Sequence, residues 1–264
     1  MLNKEISNQL AILFLSCDKY QDLWQPLFYC VRKYFKQKKY VLYLGSNTLS
    51  YEDKQIRTLL SGPDKDWSTS LIYILDKITT PYIFIWLEDM FPIETVDMDR
   101  FNDTLTFMIH NKAKHIQLSP YVKPDYKTDD GIYGVYEKGA PYRTTVLGFW
   151  EVKYLKELLI SGESPWNFEV MGSYRCSFSE GFYCCMKPLI KVLHVVEKSK
   201  IYRNAFRYCI KHSIPIDVDK RLVMSDFERI GSGIKKINYL FMRNISWRVR
   251  LVIMNFLRKV FVSY

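Results

Sequence analysis

Two carboxylates leave one strand-like segment together. Tyr82-Ile83-Phe84-Ile85-Trp86-Leu87 is apolar, and Glu88-Asp89 follows at once, with Pro81 before and Pro92 after. Burying such a pair is costly, so it is solvated, paired with cations or bound to a metal ion. Carboxylate oxygens suit Mg²⁺ or Mn²⁺, which keep water and substrate phosphates as their other ligands. Held there, a cation would act as a Lewis acid on a departing phosphate. The simpler alternative is a solvated acidic pair facing nearby Lys or Arg.

A second group follows Gly162: Glu163-Ser164-Pro165-Trp166-Asn167-Phe168-Glu169. Aromatic rings stack on the apolar face of a sugar, and a carboxylate takes a proton from its hydroxyl. The same residues spell a helix start, with Ser164 as cap and Pro165 in the first helical position. The two readings are compatible. His194 lies inside Val192-Leu193-His194-Val195-Val196, as a core histidine or as a further ligand for cation or diphosphate. Asp18 either hydrogen-bonds a nucleobase or ribose, or caps the helix after it.

The elements that would carry these residues alternate. Apolar runs predict strands over 10–15, 40–44, the segment ending at Glu88-Asp89, and 115–118. Helical periodicity predicts helices over 22–35, 68–78, 96–111, 151–161 and 204–212. Residues 50–66 read as polar and turn-rich, and 189–196 as an apolar strand-like run. Alternation of this kind predicts an α/β fold with a mostly parallel sheet. Residues 119–145, rich in Pro, Gly and Tyr, predict loops and short strands where specific contacts gather.

The 264 residues and 48% hydrophobic content fit a globular chain with a real core. Six Cys lack zinc or C-x-x-C spacing and read as reduced thiols. The first residues lack a signal peptide's pattern, and no apolar run is long enough to span a bilayer, so a cytoplasmic protein is expected. A net charge of +10 points to an anionic partner. Beyond Gly231-Ser232-Gly233, residues 234–264 carry seven Lys or Arg and no Asp or Glu, with residues 241, 245, 249, 252, 256 and 260 forming an apolar helical face. This predicts two parts, a domain over 1–230 and a basic amphipathic tail over 231–264. A packed helix pair or an oligomer contact is the alternative to an anionic membrane surface. Nucleic acid is not expected, because the apolar residues are too dense for a solvated basic arm.

Taken in order, Ser16-Cys17-Asp18-Lys19-Tyr20, Leu87-Glu88-Asp89, Trp150 and the block 163–169 resemble a GT-A-fold, Leloir-type glycosyltransferase of bacterial lipopolysaccharide and capsule synthesis. The resemblance spans roughly residues 8–200. It implies a Rossmann-like sheet and a nucleotide-sugar donor, UDP-sugar foremost, at Ser16, Asp18, Glu88 and Asp89. It implies Mn²⁺ or Mg²⁺ on Asp89 and Glu88, with His194 as a further ligand. The acceptor, a lipid-linked or lipopolysaccharide glycan, would meet Trp150, Trp166 and Phe168, with Glu169 as base and Glu163 as runner-up. The setting implied is the inner face of the cytoplasmic membrane. Leu87 stands where the full D-x-D motif has its first acid. That departure supports an alternative, a non-catalytic assembly or glycan-binding protein on the same fold.

Overall fold

The computed structural model describes residues 8–217, 219–225, 244–249, 252 and 256. Strands β1 (Leu10–Leu15), β2 (Val41–Ser46), β3 (Ile56–Leu60) and β4 (Tyr82–Leu87) come first, and a short β5 (Met90–Pro92) follows. Then come β6 (His115–Gln117), β7 (Tyr126–Lys127), β8 (Tyr133–Val135), β9 (Gly148–Glu151), β10 (Phe182–Cys185) and β11 (Val192–His194). All but β5 and β11 join one nine-stranded sheet in the order β3-β2-β1-β4-β9-β6-β10-β8-β7. β3, β2, β1 and β4 are parallel neighbours, and only β8 and β9 run against the common direction. The expected α/β, mostly parallel, Rossmann-like sheet is present.

β1 shows why the sheet sits inside. All six of its residues are buried, and period-two alternation sends them to opposite faces. Leu10, Ile12 and Phe14 join a core with helices α1 (Trp24–Tyr34) and, later in the chain, Met98–His110 and Arg203–Lys211. Ala11, Leu13 and Leu15 join a second core under α2 (Trp67–Leu75). In chain order the remaining helices are α3 (Met98–His110), α4 (Val152–Leu158), α5 (Pro165–Arg175) and α6 (Arg203–Lys211).

Three strands of the main sheet, β3, β9 and β10, lie outside the segments expected to be strands. The 189–196 run is divided: β11 pairs antiparallel with β5, and Val196 begins a separate small hairpin. All six Cys are free thiols. Among the described residues no helix is long and apolar enough to cross a membrane.

Most of the basic tail lies outside the described residues. Its part at 244–249 rests on the domain: the Trp247 indole N–H donates to Asp125 at 2.9 Å, and Arg248 pairs with Asp125 and Glu137. The boundary at 230 and 231 also falls outside the described residues.

Candidate functional site

Parallel strands deliver their carboxyl ends to one rim, the place where open α/β sheets bind ligands. Three loops meet there. Asp18, just past β1, accepts the backbone N–H of Asn47, Thr48 and Leu49 at 3.0–3.1 Å and the Thr48 hydroxyl at 2.5 Å. Burial raises its pKa, but these bonds outweigh it and the net shift is downward. Asp18 therefore braces the β1 and β2 loops, and its oxygens are engaged by protein. The Ser16 hydroxyl accepts the Trp24 indole N–H at 2.8 Å and fixes the first turn of α1.

Glu88 and Asp89 emerge from β4 as expected, yet they differ. The Asp89 carboxylate lies 2.7 Å from His194 Nε2. The contact exists because β5 pairs with β11 and sets Met90 opposite His194. Burial lowers the His194 pKa, but the Asp89 carboxylate outweighs it and the net shift is upward. Glu88 is pushed well above the carboxylate range, first by burial and then by the charge of Asp89, with Arg221 opposing. Arg221 is itself buried. Its Nε and one terminal nitrogen hold Asp22 at 2.6 and 2.9 Å, and it donates to the Lys19 carbonyl.

The expected ligand set fails a simple test. Glu88, Asp89 and His194 do not converge, and among the described residues no three His, Cys, Asp or Glu side chains do. Asp89 and His194 satisfy each other. These residues do not fit a cation held by protein donors alone, so no step is derived through one.

The second acidic group is a helix start. The Ser164 hydroxyl accepts the Asn167 N–H at 3.2 Å, and Pro165 opens α5. Glu163 is gripped by both terminal nitrogens of Arg175, at 2.7 and 2.8 Å. Among the described residues no cation pairs with Glu169. One of its oxygens accepts the Val146 N–H at 3.1 Å, and burial pushes its pKa up to about 7 despite that bond.

The segment 143–146 carries α5. Buried Arg143 donates to the carbonyls of Cys176 and Ser179 just past the helix, a favourable place for a cation. Thr144 bonds Ser173 at 3.0 Å and the Glu169 carbonyl at 3.1 Å. β9 follows and runs antiparallel to β4, with Gly148 opposite Ile85. Val146 and Glu169 therefore lie at the end of the sheet where Glu88 and Asp89 emerge. Gly148 has φ +141, and a Cβ there would come within 2.5 Å of the Ile116 carbonyl oxygen, so only glycine suits this turn.

Further contacts close the rim. Lys19 reaches Asp64 at 3.2 Å, and Asp66 accepts the Gly162 N–H at 3.0 Å. Two cavities open elsewhere on the surface: about 230 Å³ beside Ser61, Lys65, Thr69 and Tyr73, and about 440 Å³ beside Asp22, Trp24, Tyr51 and Lys220. Neither is lined by Glu88, Asp89, Glu163 or Glu169.

The aromatic expectations need correction. Trp150 is 0% exposed, stacked on His115 with ring centroids 3.9 Å apart, and its indole N–H donates to the Thr145 and Val146 carbonyls. Phe168 is also 0% exposed and packs against Trp67 and Trp150. Both are core, because β9 is covered on both faces and Phe168 lies on the inner side of α5. Trp166 is 76% exposed and alone of the three offers a ring face. Arg143, Arg221 and the backbone of Val146 were not singled out in the sequence. A basic residue in a turn-rich segment is the only signal they leave.

No protein-family model matches the chain, and no curated protein sequence matches it. Solved structures do, at low identity. TarS from S. aureus, residues 1–349, crystallised with UDP-GlcNAc, is 11% identical with a TM-score of 0.42, covering 70% of this chain and 60% of that one. A cytidylyltransferase from Leptospira borgpetersenii serovar Hardjo-bovis is 10% identical with a TM-score of 0.47, covering 90% and 98%. The chain spans 60% of the length of the TarS fragment and 37% of a longer TarS structure.

Proposed function

We propose that this chain is a glycosyltransferase, moving a sugar from a nucleotide-diphosphate donor, UDP-sugar foremost, to a lipid-linked or lipopolysaccharide glycan in bacterial surface polysaccharide synthesis. The observation that carries the reading is Glu169: a half-buried residue whose carboxyl is pushed up to about 7, on the rim where Glu88 and Asp89 leave β4. A general base works best when its pKa lies close to the operating pH.

In this reading the acceptor hydroxyl lies against Trp166 and gives its proton to Glu169. Its oxygen attacks the anomeric carbon, and the bond from that carbon to the diphosphate breaks with the electron pair leaving on phosphate. Direct displacement of this kind inverts the anomeric centre. Lys19, held beside the β1 loop by Arg221 through its carbonyl, supplies positive charge for the diphosphate. Asp18 acts by holding the β1 and β2 loops in shape rather than by touching the donor.

The test is incubation with UDP-, GDP- and CMP-sugars, with and without Mn²⁺. A thermal shift and donor hydrolysis with one of them are expected. Neither response with any donor would sink the proposal. One observation favours the second reading, a non-catalytic glycan-binding protein: Asp89 is already bonded to His194, and Leu87 replaces the first acid of the motif. Unchanged polysaccharide in cells carrying Glu169→Gln, which removes the proposed base, would support it.

A further inference from the structure

The outward side of α5 is apolar, against the usual pattern for a surface helix. Phe168, Gly172 and Ser173 face the core. Trp166, Val170, Met171 and Tyr174 face out, and Phe178 follows just past the helix. Tyr174 is 70% exposed and Phe178 91% exposed. Large contiguous apolar exposure of this kind marks a binding surface.

The stripe runs toward the docked part of the basic tail. The Gly139 N–H donates to the Ser177 carbonyl, next to Phe178, and the Trp247 ring passes 3.6 Å from where a Gly139 Cβ would stand. Val249, Val252 and Phe256, on the apolar face of that tail, are exposed as well. In the sequence the tail carries seven basic and no acidic residues, with Arg243 and Arg250 directly flanking the docked 244–249, while Arg248 is itself paired with Asp125 and Glu137.

We infer that the outer face of α5, through Val170, Tyr174 and Phe178, together with residues 244–249 docked by Trp247 and Arg248, forms one surface that seats on an anionic lipid bilayer. Tyr, Trp and Phe belong at the headgroup boundary, where rings bury and polar tips stay wet. Each basic residue near an anionic leaflet strengthens binding about five-fold. The inference deepens the proposed function and rests on it in one respect. Trp166 and Glu169 lie on the same helix, so seating α5 on lipid would bring a lipid-linked acceptor to the base.

The experiment is co-sedimentation of the full chain with vesicles of phosphatidylglycerol and phosphatidylcholine, against phosphatidylcholine alone, at low and high salt. Binding to the anionic vesicles that weakens with salt is expected. The double variant Tyr174→Ser/Phe178→Ser should lower the partition coefficient at least about ten-fold, since two aromatic rings leave the interface. Ile210→Ser, at a 61% exposed apolar site on α6, should not. Each single substitution is read in the same way, with circular dichroism confirming the fold. Wild-type chain that ignores anionic vesicles, or a double variant that binds as well as wild type, overturns the inference. So does light scattering showing a wild-type dimer that the double variant loses, because the surface would then join two copies. Donor hydrolysis is measured in parallel. Vesicle binding without hydrolysis of any nucleotide sugar would leave the surface standing and remove the glycosyltransferase reading. Hydrolysis without binding would do the reverse.

Discussion

The strand end at Glu88-Asp89 and the helix start at Glu163–Glu169 solve the same problem in parallel ways. Each brings two carboxylates to the rim of the sheet. In each, one member is held by a basic side chain: Asp89 by His194 and Glu163 by Arg175. The other, Glu88 or Glu169, is left to burial and its pKa rises. The causes differ. Glu88 is raised by burial and by its charged neighbour, with buried Arg221 pulling it back. Glu169 is raised by burial alone against a single backbone N–H. Paired titratable groups driven apart by environment mark acid and base roles. Of the two raised members, Glu169 lies on the helix that presents Trp166.

The sharpest way to break this comparison is Glu169→Gln. The amide keeps the size and can still accept from Val146, so the fold should stay intact. Transfer to acceptor should fall by about 10²–10⁴-fold, the usual contribution of a positioned base. Near wild-type transfer rates would move the base elsewhere.

Arg221→Ala tests the other region. It would leave Asp22 buried without its partner and remove the charge that restrains Glu88. Breaking one half of a buried pair costs about 3–5 kcal/mol, read from urea unfolding. A cost under about 1 kcal/mol would show that the β1 loop does not depend on this clamp.

The pH dependence of stability separates burial from pairing. Glu169 titrates at about 7 when folded, against an ordinary 4.5 in an open chain. Between those values the folded state keeps a proton that the unfolded state has lost. The Glu169 contribution to stability is therefore fullest below about pH 4.5 and falls as pH rises toward 7, by at most about 3 kcal/mol. The catalytic sense is opposite, since a base must be deprotonated: transfer should rise through about pH 7. Glu169→Gln should remove its share of the stability slope. An unchanged slope in that variant would assign the effect to other groups, Glu88 first.

Much of this arrangement was legible along the chain because it is local. The strand ending at Leu87, the Ser164 cap and Pro165 at the head of α5 are set by neighbours a few residues apart. What was not legible is set at long range. Arg221 meets Asp22 from 199 residues away, and Val146 meets Glu169 only because β9 turns back beside β4. Trp150 looked available because aromatic residues suit sugars, but it lies on a strand covered on both faces. His194 allowed two readings, and the pairing of β5 with β11 gave it Asp89 as its partner. Strands β3, β9 and β10 are four or five residues long. At that length periodicity says little, and the sheet around them decides their state.

The smallest expected effect concerns Glu163, the runner-up as base. Both of its oxygens accept from the Arg175 guanidinium, so an acceptor hydroxyl would have to compete with that cation for them. Its backbone is also tied down, with the Glu163 N–H donating to the Ser68 hydroxyl and its carbonyl accepting the Ser68 N–H. The residue thus joins the start of α2 to the start of α5, and its charge serves geometry. Glu163→Gln keeps one hydrogen bond to Arg175 and loses the ion pair. For a partly exposed pair that costs about 1 kcal/mol or less. Transfer should drop by less than about ten-fold, mainly in KM, because only the placement of α5 is loosened. Loss of transfer as large as that of Glu169→Gln, with melting temperature unchanged, would reverse the assignment. It would mean that Arg175 releases Glu163 when acceptor binds, and that the held carboxylate of the pair is the working one.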